Sequence, residues 1–181
     1  MKKLLFILLL TIPFVGCNNK QEDTDKNEIT PHTAYYENGQ LMMEGNYKDG
    51  KLSGLWKSYY ESGQLTTEGY MKDGEKYGLW KHYYENGQLE IEGEYKVQND
   101  SISKDGIWKW YYKNGQLFQT ANWKYGEFHG LWKVYYENGQ LEWEENWKDD
   151  ELISEKCWDE DGNEIECEKS GINLKNTLIQ P

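Results

Sequence analysis

Cys17, Cys157 and Cys167 are the chain's only thiols, and His32, His82 and His129 its only imidazoles. Nucleophilic, redox or metal chemistry would draw on these side chains first. Zinc needs His, Cys or carboxylate groups at short, repeated spacings, and the three histidines stand far apart with no second ligand at such a spacing. His82 fills a position that other units of the chain give to Ser58, Trp110 and Val134, so packing is its expected role. Asp159, Asp161 and Asn163 begin like a calcium loop, but Glu164 stands where that loop needs glycine for its sharp turn. A hairpin turn is the competing reading. No Gly-x-Ser-x-Gly, His-Glu-x-x-His or phosphate-binding loop occurs. The expectation is a non-enzyme with no catalytic residues, no metal and no cofactor.

The thiols divide by position. Lys2 and Lys3 precede an apolar run over residues 4–10 that continues to Val15, too short for a membrane span, and residues 1–16 read as a signal peptide. The run ends Phe14-Val15-Gly16-Cys17, then Asn18-Asn19. This resembles the bacterial lipobox, in which the cysteine becomes the first mature residue and carries lipid. Phe14 stands where leucine is usual. The resemblance implies a lipidated Cys17 and an exported protein anchored in the bacterial cell envelope, periplasmic or surface-exposed. Ordinary cleavage nearby, leaving Cys17 free or removed, is the alternative. In an oxidising compartment Cys157 and Cys167 are most simply a disulfide rather than two free thiols. Taking Asp161-Gly162-Asn163 as a three-residue turn puts the two cysteines directly opposite each other.

Residues 17–33 are almost wholly polar and cannot bury a core, so they are expected to form a flexible tether. A repeat domain over 34–167 and a polar tail over 168–181 complete the division. The net charge of −12 becomes about −14 once Lys2 and Lys3 are removed. Such a chain is expected to bind no nucleic acid and to meet a membrane only through its lipid, because phosphate backbones and anionic bilayers repel it. With 9 Trp and 15 Tyr against modest aliphatic content, aromatics must hold the fold.

The positioning elements are repeats. Tyr-Tyr-Glu-Asn-Gly-Gln-Leu recurs with glycines at Gly39, Gly63, Gly87, Gly115 and Gly139, spaced by 24, 24, 28 and 24, and a degenerate copy carries Gly162. The longer spacing is a surface-loop insertion within 97–104. Between these strings lie Gly54-Leu55-Trp56-Lys57 and its counterparts beginning at Gly78, Gly106 and Gly130. Asn-Gly between aromatic runs signals a β-hairpin whose two turn residues both need positive φ. Taking Ser62-Gly63 as that two-residue turn pairs Tyr60 with Leu65, Ser58 with Thr67 and Trp56 with Gly69 on one face, and Tyr59 with Thr66 and Lys57 with Glu68 on the other. The same register pairs Tyr84 with Leu89, His82 with Ile91, Trp80 with Gly93, Tyr136 with Leu141 and Val134 with Trp143, and sets Lys81 against Glu92 and Lys133 against Glu144. Each indole is expected to cover the bare backbone of the glycine opposite, although Glu145 holds that place opposite Trp132. The Lys–Glu pairs are expected to be solvated cross-strand contacts. Asp49-Gly50 and Asp73-Gly74 turn the chain into the next unit.

The unit Leu-x-x-Glu-Gly-x-Tyr-Lys-Asp-Gly-x-x-x-Gly-Leu-Trp-Lys-x-Tyr-Tyr-Glu-Asn-Gly-Gln resembles the bacterial variant of the MORN repeat, most clearly from Leu65 to Gly87. Phe128-His129-Gly130-Leu131-Trp132 is similar to the eukaryotic form. The resemblance extends over about Tyr35 to Cys167. It implies an all-β, elongated, curved antiparallel sheet of about six tandem hairpin repeats, used as a binding surface, and an antitoxin or immunity role. On the residues themselves, Tyr35, Tyr59, Tyr83, Tyr111 and Tyr135 should form a row on the charge-paired face, either shielding the sheet or serving as a binding strip. The expected partner is an unidentified protein, with a glycan stacked on the aromatic strip as the alternative.

Overall fold

The computed structural model describes residues 28–98 and 101–167; the signal peptide, Cys17 and the tail from 168 onward lie outside them. The described chain has thirteen strands: β1 (Ile29–Tyr35), β2 (Leu41–Lys48), β3 (Lys51–Leu52), β4 (Gly54–Tyr59), β5 (Leu65–Lys72), β6 (Glu75–Tyr83), β7 (Leu89–Gln98), β8 (Ser101–Tyr111), β9 (Leu117–Lys124), β10 (Glu127–Tyr135), β11 (Leu141–Lys148), β12 (Glu151–Trp158) and β13 (Glu164–Ile165). They form one antiparallel sheet in chain order, with β3 paired to β2 off the main path, and the first and last strands of that order do not pair. The all-β repeat sheet expected from the sequence is what forms. At about 4.8 Å per strand it spans roughly 50 Å.

Two kinds of turn alternate along it. Asp49 and Gly50 (φ 52° and 74°) and Asp73 and Gly74 (54° and 90°) are two-residue turns with both φ positive, joining Lys48 to Lys51 and Lys72 to Glu75. The Asn-Gly turns differ from expectation. Gly63 donates to the carbonyl of Tyr60 and Tyr60 to that of Gln64, so the loop holds three residues. Only the glycine takes positive φ, at 85°. This is a type I turn closed by a left-handed glycine. A bulge between Ser58 and Tyr59 absorbs the extra residue, so Tyr59, not Tyr60, opposes Leu65. Likewise Tyr83 opposes Leu89 and Tyr135 opposes Leu141. Beyond the bulge the expected pairs hold, among them Trp56 with Gly69, Lys57 with Glu68, His82 with Ile91 and Val134 with Trp143.

The first strand begins at Ile29, inside the stretch expected to be tether. Thr30 opposes Tyr47 and His32 opposes Gly45, and the His32 ring meets Tyr47 edge-on at 5.2 Å. An edge strand tolerates polar residues and a proline such as Pro31, because its outer hydrogen bonds are not used. Composition alone hid it.

Trp80, Trp108 and Trp132 are 2%, 3% and 4% exposed, so the indole row is a core although the sheet has a single layer. Its lid comes from one slot of the repeat, two residues before the glycine of the Gly-Leu-Trp-Lys string at Gly78, Gly106 and Gly130. Lys76 lies over Trp80 at 4.6 Å and Lys104 over Trp108 at 4.4 Å. In the same slot Phe128 stacks on Trp132, with centroids 5.7 Å apart and planes 9° apart. The indoles do cover glycines, but not those facing them in their own hairpin. A Cβ on Gly45 would lie 2.6 Å from the Trp56 ring, while Gly69 lies under Trp80 and Gly93 under Trp108. Each tryptophan therefore locks its repeat onto the preceding one. Ala121, fully buried, takes the glycine's place opposite Trp132.

Candidate functional site

Strand alternation separates a face of indoles from a face of paired charges. On the charged face the tyrosine row exists, and its hydroxyls are engaged. Tyr59 donates to Glu44 at 2.7 Å, Tyr83 to Glu68 at 2.8 Å and Tyr111 to Glu92 at 2.9 Å, each time across a repeat boundary. Burial, and then the bond to the carboxylate, pushes these three phenols up to about 12. Tyr35 lies at the start of the row, 61% exposed. At Tyr135 the carboxylate slot is held by Thr120, which opposes Lys133. Lys109 pairs with Glu92 at 3.0 Å and Lys133 with Glu144 at 2.9 Å. Glu92 receives its ion pair from the following repeat, although Lys81 stands opposite it in register.

The second tyrosine of each pair has a role that repeat spacing did not reveal. The hydroxyls of Tyr36, Tyr60, Tyr84, Tyr112 and Tyr136 donate to the backbone carbonyls of Tyr59, Tyr83, Tyr111, Tyr135 and Trp158, at 2.6–2.9 Å. One tyrosine thus reaches back a repeat and its neighbour reaches forward. Also missed was an aliphatic column on the charged face. Leu55, Leu79, Ile107 and Leu131 are 42–59% exposed, one per repeat. The signal was present: these residues lie next to the tryptophan in each Gly-Leu-Trp-Lys string, and alternation turns them the opposite way. At the amino-terminal end a groove of about 280 Å³ lies on this face, lined by Thr33, Glu44, Asn46, Leu55 and Lys57 among others. There β2 and β4 share only the pairs Met43–Ser58 and Glu44–Lys57.

On the indole face His82 packs as expected. Its Nδ1 lies 3.0 Å from Thr67 Oγ1, and burial, assisted by Lys76, lowers its pKa. Glu145 sits where other repeats carry glycine, 6% exposed. Burial raises its carboxyl above the usual range against the opposing bond from the Trp147 indole N–H at 2.8 Å.

Cys157 and Cys167 form a disulfide with Cα atoms 5.3 Å apart. They are not directly opposite, because Cys157 faces Ile165. The loop is Glu160-Asp161-Gly162, closed by bonds from Gly162 to Asp159 and from Asp159 to Asn163. Glycine must take the third, left-handed place, which moves the turn one residue earlier than expected and makes the bridge diagonal. The Asp159 carboxylate accepts the backbone N–H of Asp161 at 3.1 Å and of Asn163 at 2.8 Å. The apparent calcium loop is thus a hairpin turn held by its first aspartate.

The geometry is that of a repeated surface whose polar groups bind one repeat to the next. Comparison with curated proteins finds no match. The MORN repeat variant profile matches five segments, residues 31–49, 52–73, 76–96, 104–125 and 128–149. The sixth unit, built from β12 and β13, lies beyond the last of them. The chain belongs to the MORN repeat variant family, whose repeats are binding rather than catalytic units.

Proposed function

We propose that the chain is a non-enzymatic protein-binding scaffold, exported and held at the membrane of a bacterial cell envelope by a lipidated Cys17. The observation that carries the binding role is the aliphatic column of Leu55, Leu79, Ile107 and Leu131, exposed on one face of an open sheet. Successive members lie two strands apart, about 10 Å, with Tyr70, Glu94 and Asn122 opposite them on the intervening strands, so the column offers apolar contacts at a regular interval within a polar surface. The antitoxin or immunity role implied by the resemblance is the form of this reading in which the partner is a toxic protein. The tyrosine row flanks the column and enlarges the contact area.

Crosslinking in the native cells, followed by identification of what is captured, tests the scaffold. One stoichiometric protein partner, lost when Leu79 and Leu131 are both changed to Asp, is the expected result. Capture unaffected by that pair would remove the column from the interface. A tryptophan fluorescence response to soluble glycans, with no protein captured, would favour carbohydrate binding instead. For the anchor, Cys17→Ser should abolish lipid labelling and release the protein from membranes. Labelling that persists in this variant would overturn the anchor.

A further inference from the structure

The opposite face carries a feature that the scaffold reading does not use. Lys76 and Lys104 occupy the same slot of consecutive repeats, and each amino group lies over rings rather than beside a carboxylate. Lys76 Nζ is 4.6 Å from the Trp80 ring and 5.5 Å from that of Tyr95. Lys104 Nζ is 4.4 Å from Trp108 and 4.7 Å from Trp123. Ion pairs made by other lysines, Lys109 and Lys133 among them, use carboxylates of the charged face. The carboxylate buried on the indole face, Glu145, sits on β11, three strands from the β8 strand that bears Lys104.

A chain of 32 acidic residues against 20 basic ones thus keeps two cations on a half-buried face with no ion-paired carboxylate among the described residues. Burial lowers the pKa of both amino groups, and Lys76 lowers that of Lys104 further. Among the described residues the buried Nε1 of Trp123, whose ring lies under Lys104, has no acceptor. Ammonium groups held over rings in this way suit an acceptor that carries negative charge.

We propose that the indole face around Lys76 and Lys104 is a docking site for an acidic polypeptide segment, one carboxylate meeting each lysine. Spacing favours a polypeptide. The two slots lie two strands apart, about 10 Å. In an extended polyproline-type segment, residues three apart share a face about 9 Å apart. Carboxylates at every third residue therefore match the repeat. This site is separate from the aliphatic column and can fail without it.

The probe is a synthetic peptide of four Glu-Pro-Pro units titrated into the full chain, read by tryptophan fluorescence, with the Gln-Pro-Pro peptide and inorganic phosphate as controls. The expected result is a saturable change with the glutamate peptide alone. Lys104→Met keeps an apolar stem over the indoles and removes the charge, so it should weaken binding at least tenfold with an unchanged circular dichroism spectrum. Lys57→Met, on the charged face, should leave the affinity as it was. Lys76→Met provides the same reading if Lys104→Met does not fold. No saturable change, an equal response to the glutamine peptide or to phosphate, or unchanged affinity in the folded lysine variant would overturn the proposal. Partner capture that depends on Leu79 and Leu131 would stand in any of these cases.

Discussion

Tyr83 donates its hydroxyl to Glu68 at 2.8 Å, across the boundary between two repeats. The adjacent Tyr84 donates the other way, to the carbonyl of Tyr111 at 2.7 Å. A tandem array is stabilised by the sum of its units and their nearest-neighbour contacts, and these two bonds belong to the second kind. Tyr83→Phe removes the hydroxyl and keeps the ring. A hydrogen bond to a charged acceptor contributes about 1.5–3 kcal/mol at most sites, and partial exposure puts the expected loss at the lower end or below it. Urea melts of the two proteins measure it. A loss no larger than that of Tyr35→Phe, at the exposed end of the row, would show that the bond does not couple the repeats.

The same bonds set an alkaline limit. The phenols of Tyr59, Tyr83 and Tyr111 are pushed up to about 12 in the folded chain, against about 10 when unfolded. Between those values the unfolded state holds fewer protons than the folded one, so stability falls as pH rises from about 10 to 12. Below pH 10 these groups add no pH dependence. Absorbance at 295 nm should show an early class of tyrosines and a late class that ionises as the far-ultraviolet signal collapses. Ionisation of every tyrosine near 10 in the folded protein would contradict this.

The repeat unit, the deep register and the identity of the two faces were legible in the sequence, because Gly-Leu-Trp-Lys and Tyr-Tyr-Glu-Asn-Gly-Gln fix alternation on both sides of each turn. The turn type was not. Asn-Gly serves both two-residue and three-residue loops, and only the closing bond from Tyr60 to Gln64 decides between them. In the sixth unit the loop has the expected three residues but begins one residue earlier, at Glu160, and that displaced the expected position of Cys167. The partner of each indole was hidden for another reason. Hairpin pairing names the residue opposite, whereas the side chain of Trp80 leans onto Gly69 of the preceding repeat. The lid formed by Lys76, Lys104 and Phe128 gave no signal, since two lysines and a phenylalanine share no obvious property except a long apolar body.

Gly69 tests that packing. A Cβ there would overlap the ring of Trp80, so Gly69→Ala forces the indole to move within a tight row. Overpacking of this kind costs about 1–3 kcal/mol, where an ordinary strand glycine would gain from the change. Ala121 occupies the equivalent place beneath Trp132, so the reverse change, Ala121→Gly, should destabilise as well. Opposite signs for the two substitutions would show that each slot is not fitted to its own indole.

Thr120 is the weak rung of the charged face. It stands between Lys109 and Lys133 in register, in the slot where Glu44, Glu68 and Glu92 each accept a tyrosine hydroxyl from the following repeat. Thr120→Glu offers Tyr135 an acceptor and both lysines a second carboxylate beside Glu92 and Glu144. The expected gain is about 0.5–1 kcal/mol, the range of an exposed pair plus one net hydrogen bond. It should be smaller in the Tyr135→Phe background. An equal gain in both backgrounds would assign the effect to charge alone.

The carboxy-terminal end depends on its clasp. The sixth unit lacks the Gly-Leu-Trp-Lys string and contributes only the two-residue strand β13 beside β12. Most of β12 is exposed, including Ile153 at 57%. Such an end frays unless something closes it, and an unprotected terminal strand invites pairing with other chains. The Cys157–Cys167 bond, with a sequence separation of 10, contributes about 2–3 kcal/mol in the chain-entropy account. The bond from Tyr136 to the carbonyl of Trp158 ties the same hairpin to the fifth repeat. Reduction should therefore raise amide exchange first in β12 and β13, spread next to β11, and leave β5 to β8 protected. Uniform exchange along the whole sheet after reduction would show that the array unfolds as one unit. Two alkylatable thiols at Cys157 and Cys167 in the non-reduced protein would show that the clasp does not form at all.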